Sequence, residues 1–264
     1  MVSSGRMNPG RELTSHPLLE ALFENVRPLV SESATKLKEL AEKTGKIRQL
    51  HGRPLTEAEF YDTTAFRHAH ALLNCVCRLE NIRKFIGNFP SPRMYEKRGI
   101  SRYIWIEYHY SNYVVTLVTL GDLCLVLINT VFRLGNPEKL CKADIIKNND
   151  WVKRAGVSKK LQSLEKIIER HRSIRTLFIH RGKPPELHEI FGSDVLDYLK
   201  LVDFVHLHAE PIIDRRTLNL AYRGEISKIC DEMDAEILKV KKAMWPVLDS
   251  ILPIYESSAT ALRK

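Results

Sequence analysis

The sequence offers almost nothing from which a β-sheet could be built. No Asn-Gly or Asp-Gly pair marks a hairpin, and no run alternates apolar and polar residues as a half-buried strand would. Glycine is sparse, at 12 of 264 residues, and the glycine-rich fingerprints that cradle nucleotide phosphates are missing, so no cofactor is implied. Cysteine is scarcer still. Cys75, Cys77, Cys124, Cys141 and Cys230 form an odd, scattered set with no secretory signal ahead of them, which excludes a disulfide scaffold and points to reduced thiols in the cytoplasm. Cys75 and Cys77 are too closely spaced for a zinc-chelating pair and read as small core hydrophobes within a helix. The opening residues, MVSSGR, precede a second methionine, Met7, and carry neither an apolar core nor a cleavage pattern.

Charge is what the chain has in excess. The formal net charge is +9, a balance that favours a polyanionic partner such as nucleic acid, or else a lysine-rich solvated surface. With 44% hydrophobic and 28% charged residues, the composition is that of a folded soluble protein. One stretch, Tyr113 to Phe132, is long and apolar enough to raise the question of a membrane span. Asn112, Thr116, Thr119, Asp122, Asn129 and Arg133 recur along it at helical spacing, however, and draw a polar stripe that a lipid-facing helix would not carry. The stretch reads as a central core helix, with no membrane partner.

Helix signals run from end to end. A first helix is expected from about Ser15 to Thr44, with a kink or break at Pro28 and a stop at Gly45. Thr56-x-x-Glu59 is a capping box opening a second, whose Phe60, Ala65, Ala69, Leu72, Val76 and Leu79 supply an apolar face ending near Gly87. A third should run from about Ile100 to Leu134, stopped by Gly135. A fourth, from about Ser158, carries Leu161, Leu164, Ile168, Ile174, Leu177 and Phe178 at helical spacing up to Gly182 and Pro184. Ser193 or Asp194 caps a fifth helix to His208, and Asp214 opens a sixth that Pro246 and Pro253 should break. The expected fold is all-α, an up-and-down bundle of about six helices, with helices in residues 1–95 packed onto a bundle formed by residues 96–264.

The densest basic cluster lies at the end of the fourth helix: Arg170, Arg172, Arg175, His180, Arg181 and Lys183. Arg175-Thr-Leu-Phe-Ile-His180, ending a strongly amphipathic helix in a basic bundle, resembles the Arg-polar-x3-His signature of HEPN domains. Arg11 and His16 share the spacing but lie near the chain start, outside such a context. The resemblance covers about residues 95 to 245. It departs from the family pattern at Thr176, where Asn, Asp or His is usual, although threonine can still donate and accept a hydrogen bond.

The resemblance implies a cytoplasmic homodimer that cuts RNA without a metal, leaving a 2′,3′-cyclic phosphate, in a prokaryotic toxin or antiviral defence setting with an antitoxin or defence partner. Arg175 and His180 would be catalytic, with Thr176, Glu107, Asn112 and Asp122 in support and Arg170, Arg172, Arg181 and Lys183 holding RNA. The chemistry fits these residue types. Metal-free cleavage needs a base near the 2′-hydroxyl, an acid near the leaving oxygen and positive charge on the phosphorane. The alternative is a non-catalytic helical module that binds RNA or a protein through the same basic face. His206 and His208, like His68 and His70, lack the i, i+4 spacing of helical metal ligands.

Overall fold

The computed structural model describes residues 13–44, 53–90, 92–210 and 212–264. Arg11 and Gly45, named above, lie outside them. Ten α-helices occur among the described residues, and no strand. They are α1 (Pro17–Thr44), α2 (Glu57–Gly87), α3 (Pro92–Glu96), α4 (Arg102–Val131), α5 (Ala143–Asn148), α6 (Asp150–Arg154), α7 (Val157–Arg181), α8 (Leu187–Phe191), α9 (Asp194–His208) and α10 (Arg215–Leu262). The six long ones are the six expected from the sequence. The other four are single turns or little more, within connections.

Local chemistry sets the boundaries. Thr56 and Glu59 form the reciprocal capping box, with the Thr56 N–H donating to Glu59 at 2.8 Å and the Glu59 N–H to the Thr56 hydroxyl at 3.2 Å. Asp214 caps α10 by accepting from the N–H groups of Arg216 and Thr217. Gly182 closes α7 in the left-handed region, at φ 62°, where only glycine sits without strain. Ser193 does occupy the N-cap of α9, but its hydroxyl donates to Glu225 at 2.7 Å and caps nothing.

The proline expectations need correction. Pro246 and Pro253 lie inside a continuous α10 of 48 residues, and Pro28 does not break α1, which continues through it. A helical proline orphans the carbonyl four residues earlier. Those carbonyls belong to Glu24, Lys242 and Asp249, all exposed residues, so water can replace the lost bond. The buried neighbours of the two α10 prolines, among them Val247, Leu248, Ile251 and Tyr255, hold the helix together by packing. Two apolar assignments also fail: Phe60 is 63% exposed and Cys77 is exposed, whereas Cys75 is buried.

The chain divides into two compact units, the first made of residues 1–73, 122–162 and 243–264, the second of residues 74–121 and 163–242. In the first, Leu18, Leu22, Ala65, Leu127, Ile128 and Ile251 are among the fully buried core. A polar knot joins its helices: Tyr255 donates to buried Asp62 at 2.7 Å and accepts from Asn25 at 2.7 Å, and Arg263 pairs with the other Asp62 oxygen. In the second unit, α4 brings Tyr103, Ile106, Tyr110, Tyr113 and Leu117 into the core. Gly121 lets Ile168 approach so closely that a Cβ there would meet its Cδ1 at 2.6 Å. α4 is long and apolar enough to cross a membrane, yet 72% of its most apolar window is buried within the protein, as the core-helix reading expects.

Asp62→Ala should lower stability by about 2 kcal/mol, because it leaves the buried Tyr255 hydroxyl without its acceptor. Urea unfolding of the variant against wild type measures this. A change below a few tenths of a kcal/mol would mean that the knot contributes nothing.

Candidate functional site

The last three turns of α7 carry the basic cluster, and there the helix changes character. Leu161, Leu164, Ile168 and His171 are buried, as their spacing requires. Beyond them the burial tapers: Leu177, expected on the apolar face, is exposed, Phe178 is half-buried, and Ile179 is 53% exposed. Arg175 is half-buried, while Thr176, His180, Arg181 and Lys183 are exposed.

α7 remains a regular helix through Arg181, and the Gly182 N–H returns to the Phe178 carbonyl at 3.1 Å. The regularity matters for Arg175 and His180. Five residues along an α-helix is a rotation of about 140° and a rise of roughly 7.5 Å, so within one chain the two side chains leave the helix in different directions. Neighbouring polar groups are occupied locally. The Thr176 hydroxyl donates to the Arg172 carbonyl at 2.8 Å, and Arg172 pairs with Glu169 at 3.2 Å.

Of the supporting residues, Glu107 and Asn112 lie on α4 within the second unit, and Asp122 falls in the first. Glu107 is half-buried, and burial pushes its carboxyl above the ordinary range against the opposing charge of Lys200. The Asn112 amide donates to the Tyr108 carbonyl of its own helix at 2.9 Å. Among the described residues, no three His, Cys, Asp or Glu side chains are grouped so as to hold a metal ion.

Arg170 does something the sequence did not signal. Its guanidinium, 65% exposed, reaches the carboxylate of Glu236 on α10, which is 6% exposed. Glu236 also accepts from the Tyr113 hydroxyl at 3.0 Å and lies 3.0 Å from His171 Nε2. His171 Nε2 is also 3.1 Å from Arg170 Nε, and one ring nitrogen cannot donate to the carboxylate and accept from the guanidinium together. We assign the Nε2–H to Glu236, which gives the carboxylate three donors and leaves Nδ1 without a partner among the described residues. Burial alone would raise the Glu236 pKa, but the His171 hydrogen bond and the Arg170 charge outweigh it and hold the carboxyl below its usual range.

Beside this network lies a cavity of about 190 Å³ lined by Tyr110, Ile174, Phe191 and Glu232. Two signals could have revealed the network. Glu236 stands on the apolar stripe Met233, Ile237 and Val240, and His171 on the stripe Leu164 and Ile168. A polar group in such a position needs a partner.

One family model matches the chain, described as Cthe2314-like HEPN, over residues 66–239. No curated protein and no solved structure matches it significantly. The matched residues contain the whole of α7, including Arg175 and His180, and Glu236.

Removing the buried carboxylate by Glu236→Ala should cost about 3 kcal/mol, since it strands two donors beneath Arg170. Because the folded pKa is depressed, this stabilisation is fully present above the ordinary glutamate value of 4.5 and is lost as pH falls below it. Urea titrations at pH 7 and pH 3.5 should therefore show the difference between variant and wild type shrinking at the lower pH. An unchanged difference would mean that the folded surroundings do not hold the carboxyl below its ordinary range.

Proposed function

Because the match spans about two thirds of the chain, the protein belongs to the Cthe2314-like HEPN family, and we propose that it is a metal-independent endoribonuclease with Arg175 and His180 as its catalytic pair. The observation that carries the reading is their placement. They occupy the terminal turns of α7, where the helix turns from buried apolar residues to an exposed basic end. Arg181 and Lys183 extend the positive charge beyond the helix, where they would meet RNA phosphates.

The divergence of Arg175 and His180 on a regular helix supports a homodimer. A second α7 packed against the first across a twofold axis would bring two arginines and two histidines to one place. Ile179, exposed beside His180, and the exposed Tyr198, Leu201 and Phe204 on one side of α9 are apolar surface suited to such a contact.

In the proposed reaction one imidazole takes the 2′-hydroxyl proton as that oxygen attacks the adjacent phosphorus. The second imidazole, protonated, gives its proton to the departing 5′-oxygen. Arg175 neutralises the equatorial oxygens of the phosphorane and stabilises it more than the ground state. The products are a 2′,3′-cyclic phosphate and a free 5′-hydroxyl. A second reading, a non-catalytic RNA-binding module, is favoured by Thr176, whose hydroxyl is occupied by its own helix.

His180→Ala should lower cleavage by about 10²–10⁴-fold, the usual contribution of general acid–base catalysis, and leave RNA affinity unchanged. Arg175→Ala should weaken both, since a permanent charge contacts phosphate before and during reaction. Arg181→Ala and Lys183→Ala should lower affinity and flatten its salt dependence. The assay uses total RNA with EDTA present and variants whose helicity is checked by circular dichroism. Wild-type cleavage by a folded His180→Ala protein, or RNA retention without cleavage by the wild type, would turn the site into a binding surface.

A further inference from the structure

The cavity beside Glu236 gathers unlike groups around a small volume. It holds about 190 Å³, room for about six waters at roughly 30 Å³ each. Drug-sized ligands take roughly 300–1,000 Å³, so this space suits one molecule the size of an amino acid and not a nucleotide or a polymer strand. Four helices of the second unit build its wall. Tyr110 comes from α4, Arg170 and Ile174 from α7, Phe191 from α8, and Glu232 and Met233 from α10.

Tyr110 is 3% exposed, and its ring stands edge-on to Phe191 with the centroids 5.1 Å apart, a contact that fixes the ring. Its hydroxyl has no hydrogen-bond partner among the described residues. Tyr103 Oη and His171 Nδ1 are sealed from solvent without a partner, but the Tyr110 hydroxyl is not, so it meets the cavity. Burial, with the Glu236 charge nearby, pushes its pKa up. The group therefore stays a neutral donor.

Arg170 adds further donors. One of its Nη atoms holds Glu236, which anchors the guanidinium at the wall. With the His171 Nε2–H given to that same carboxylate, the Arg170 Nε and its other Nη have no acceptor among the described residues. Glu232 stands one turn before Glu236 on α10 and brings a second carboxylate to the wall, this one exposed. Ile174, Phe191 and Met233 supply apolar surface. Donors for an anion, a carboxylate for a cation and an apolar wall thus line one small cavity.

We propose that this cavity binds a free α-amino acid with an apolar side chain. Its carboxylate would sit on Arg170 and the Tyr110 hydroxyl, its ammonium on Glu232, and its side chain against Ile174, Phe191 and Met233. Hydrogen bonds between a carboxylate and a guanidinium are charge-assisted and among the strong ones. Because Glu236 already anchors the guanidinium, little of its freedom is lost on binding. A carboxylate or an amine of the same shape that lacks the second charge leaves part of the polar wall unpaired and is penalised for it. The site contains neither Arg175 nor His180, and its test needs no cleavage.

Isothermal titration of the full chain with L-leucine, L-methionine, glycine, isovalerate and isoamylamine tests the assignment. L-leucine or L-methionine should bind one per chain, and isovalerate and isoamylamine, each lacking one charge of leucine, should bind about tenfold more weakly or worse. Glycine, without a side chain for the apolar wall, should bind more weakly still. Tyr110→Phe removes a hydroxyl that no protein group holds, so urea stability should stay at the wild-type value while leucine affinity falls by about tenfold. Glu232→Gln, on the exposed side of α10, should erase most of the preference for leucine over isovalerate and leave isovalerate itself unaffected. That selective loss is one a merely structural role would not produce. Absence of binding by both amino acids at millimolar concentration, equal binding of leucine and isovalerate by the wild type, or wild-type leucine binding by folded Tyr110→Phe and Glu232→Gln proteins would each overturn the proposal.

Discussion

The placement of Glu236 ties three helices of the second unit together. A carboxylate on a side chain only 6% exposed is expensive to keep ionised unless donors surround it. Here they come from two other helices: Tyr113 from α4, and His171 and Arg170 from α7. A shift of either helix by one turn would withdraw these donors, so α4, α7 and α10 are fixed in register at this level. Arg175 follows His171 by one helical turn, on the same face. Whatever direction Arg175 takes is therefore set by a bond made to Glu236 one turn earlier.

Features that depend on a few consecutive residues were legible in the sequence. The capping box at Thr56 and Glu59, the glycine stop at Gly182 and the cap at Asp214 each place donor and acceptor within a few residues of one another, and each is found as expected. The prolines were not legible, for a reason that is equally physical. Whether Pro28, Pro246 or Pro253 breaks a helix depends on whether the carbonyl it orphans can reach water, and that is decided by which face the fold exposes. Phe60 shows the limit of apolar spacing as a guide: the helix period places it, but a folded surface is itself largely apolar, and single exposed phenylalanines are ordinary.

The same distinction separates the basic end of α7 from the start of α4. The basic end of α7 is contiguous in the chain, so its residues stand out together in the sequence alone. Arg170 belongs to that cluster by position, yet its partner lies 66 residues away, and only the fold reveals that its charge is already matched. Arg102 is the converse case: in sequence it is an ordinary flank of an apolar helix, and only the fold sets its guanidinium beside the Phe89 and Tyr222 rings.

Regularity of α7 then bears on what one copy of the chain could do. A distorted last turn would let Arg175 and His180 converge on one phosphate, but the α-helical pattern continues to Arg181 and ends in a left-handed glycine. Long side chains can shorten a gap along the helix more easily than they can reverse a rotation of about 140°. Metal-free phosphodiester cleavage needs a base and an acid on opposite sides of the phosphorus, and a single imidazole cannot stand on both. For this helix, then, the proposed chemistry and a symmetric pairing of chains stand together: a twofold axis near Ile179 would supply the second imidazole and cover apolar surface that a lone chain leaves in water.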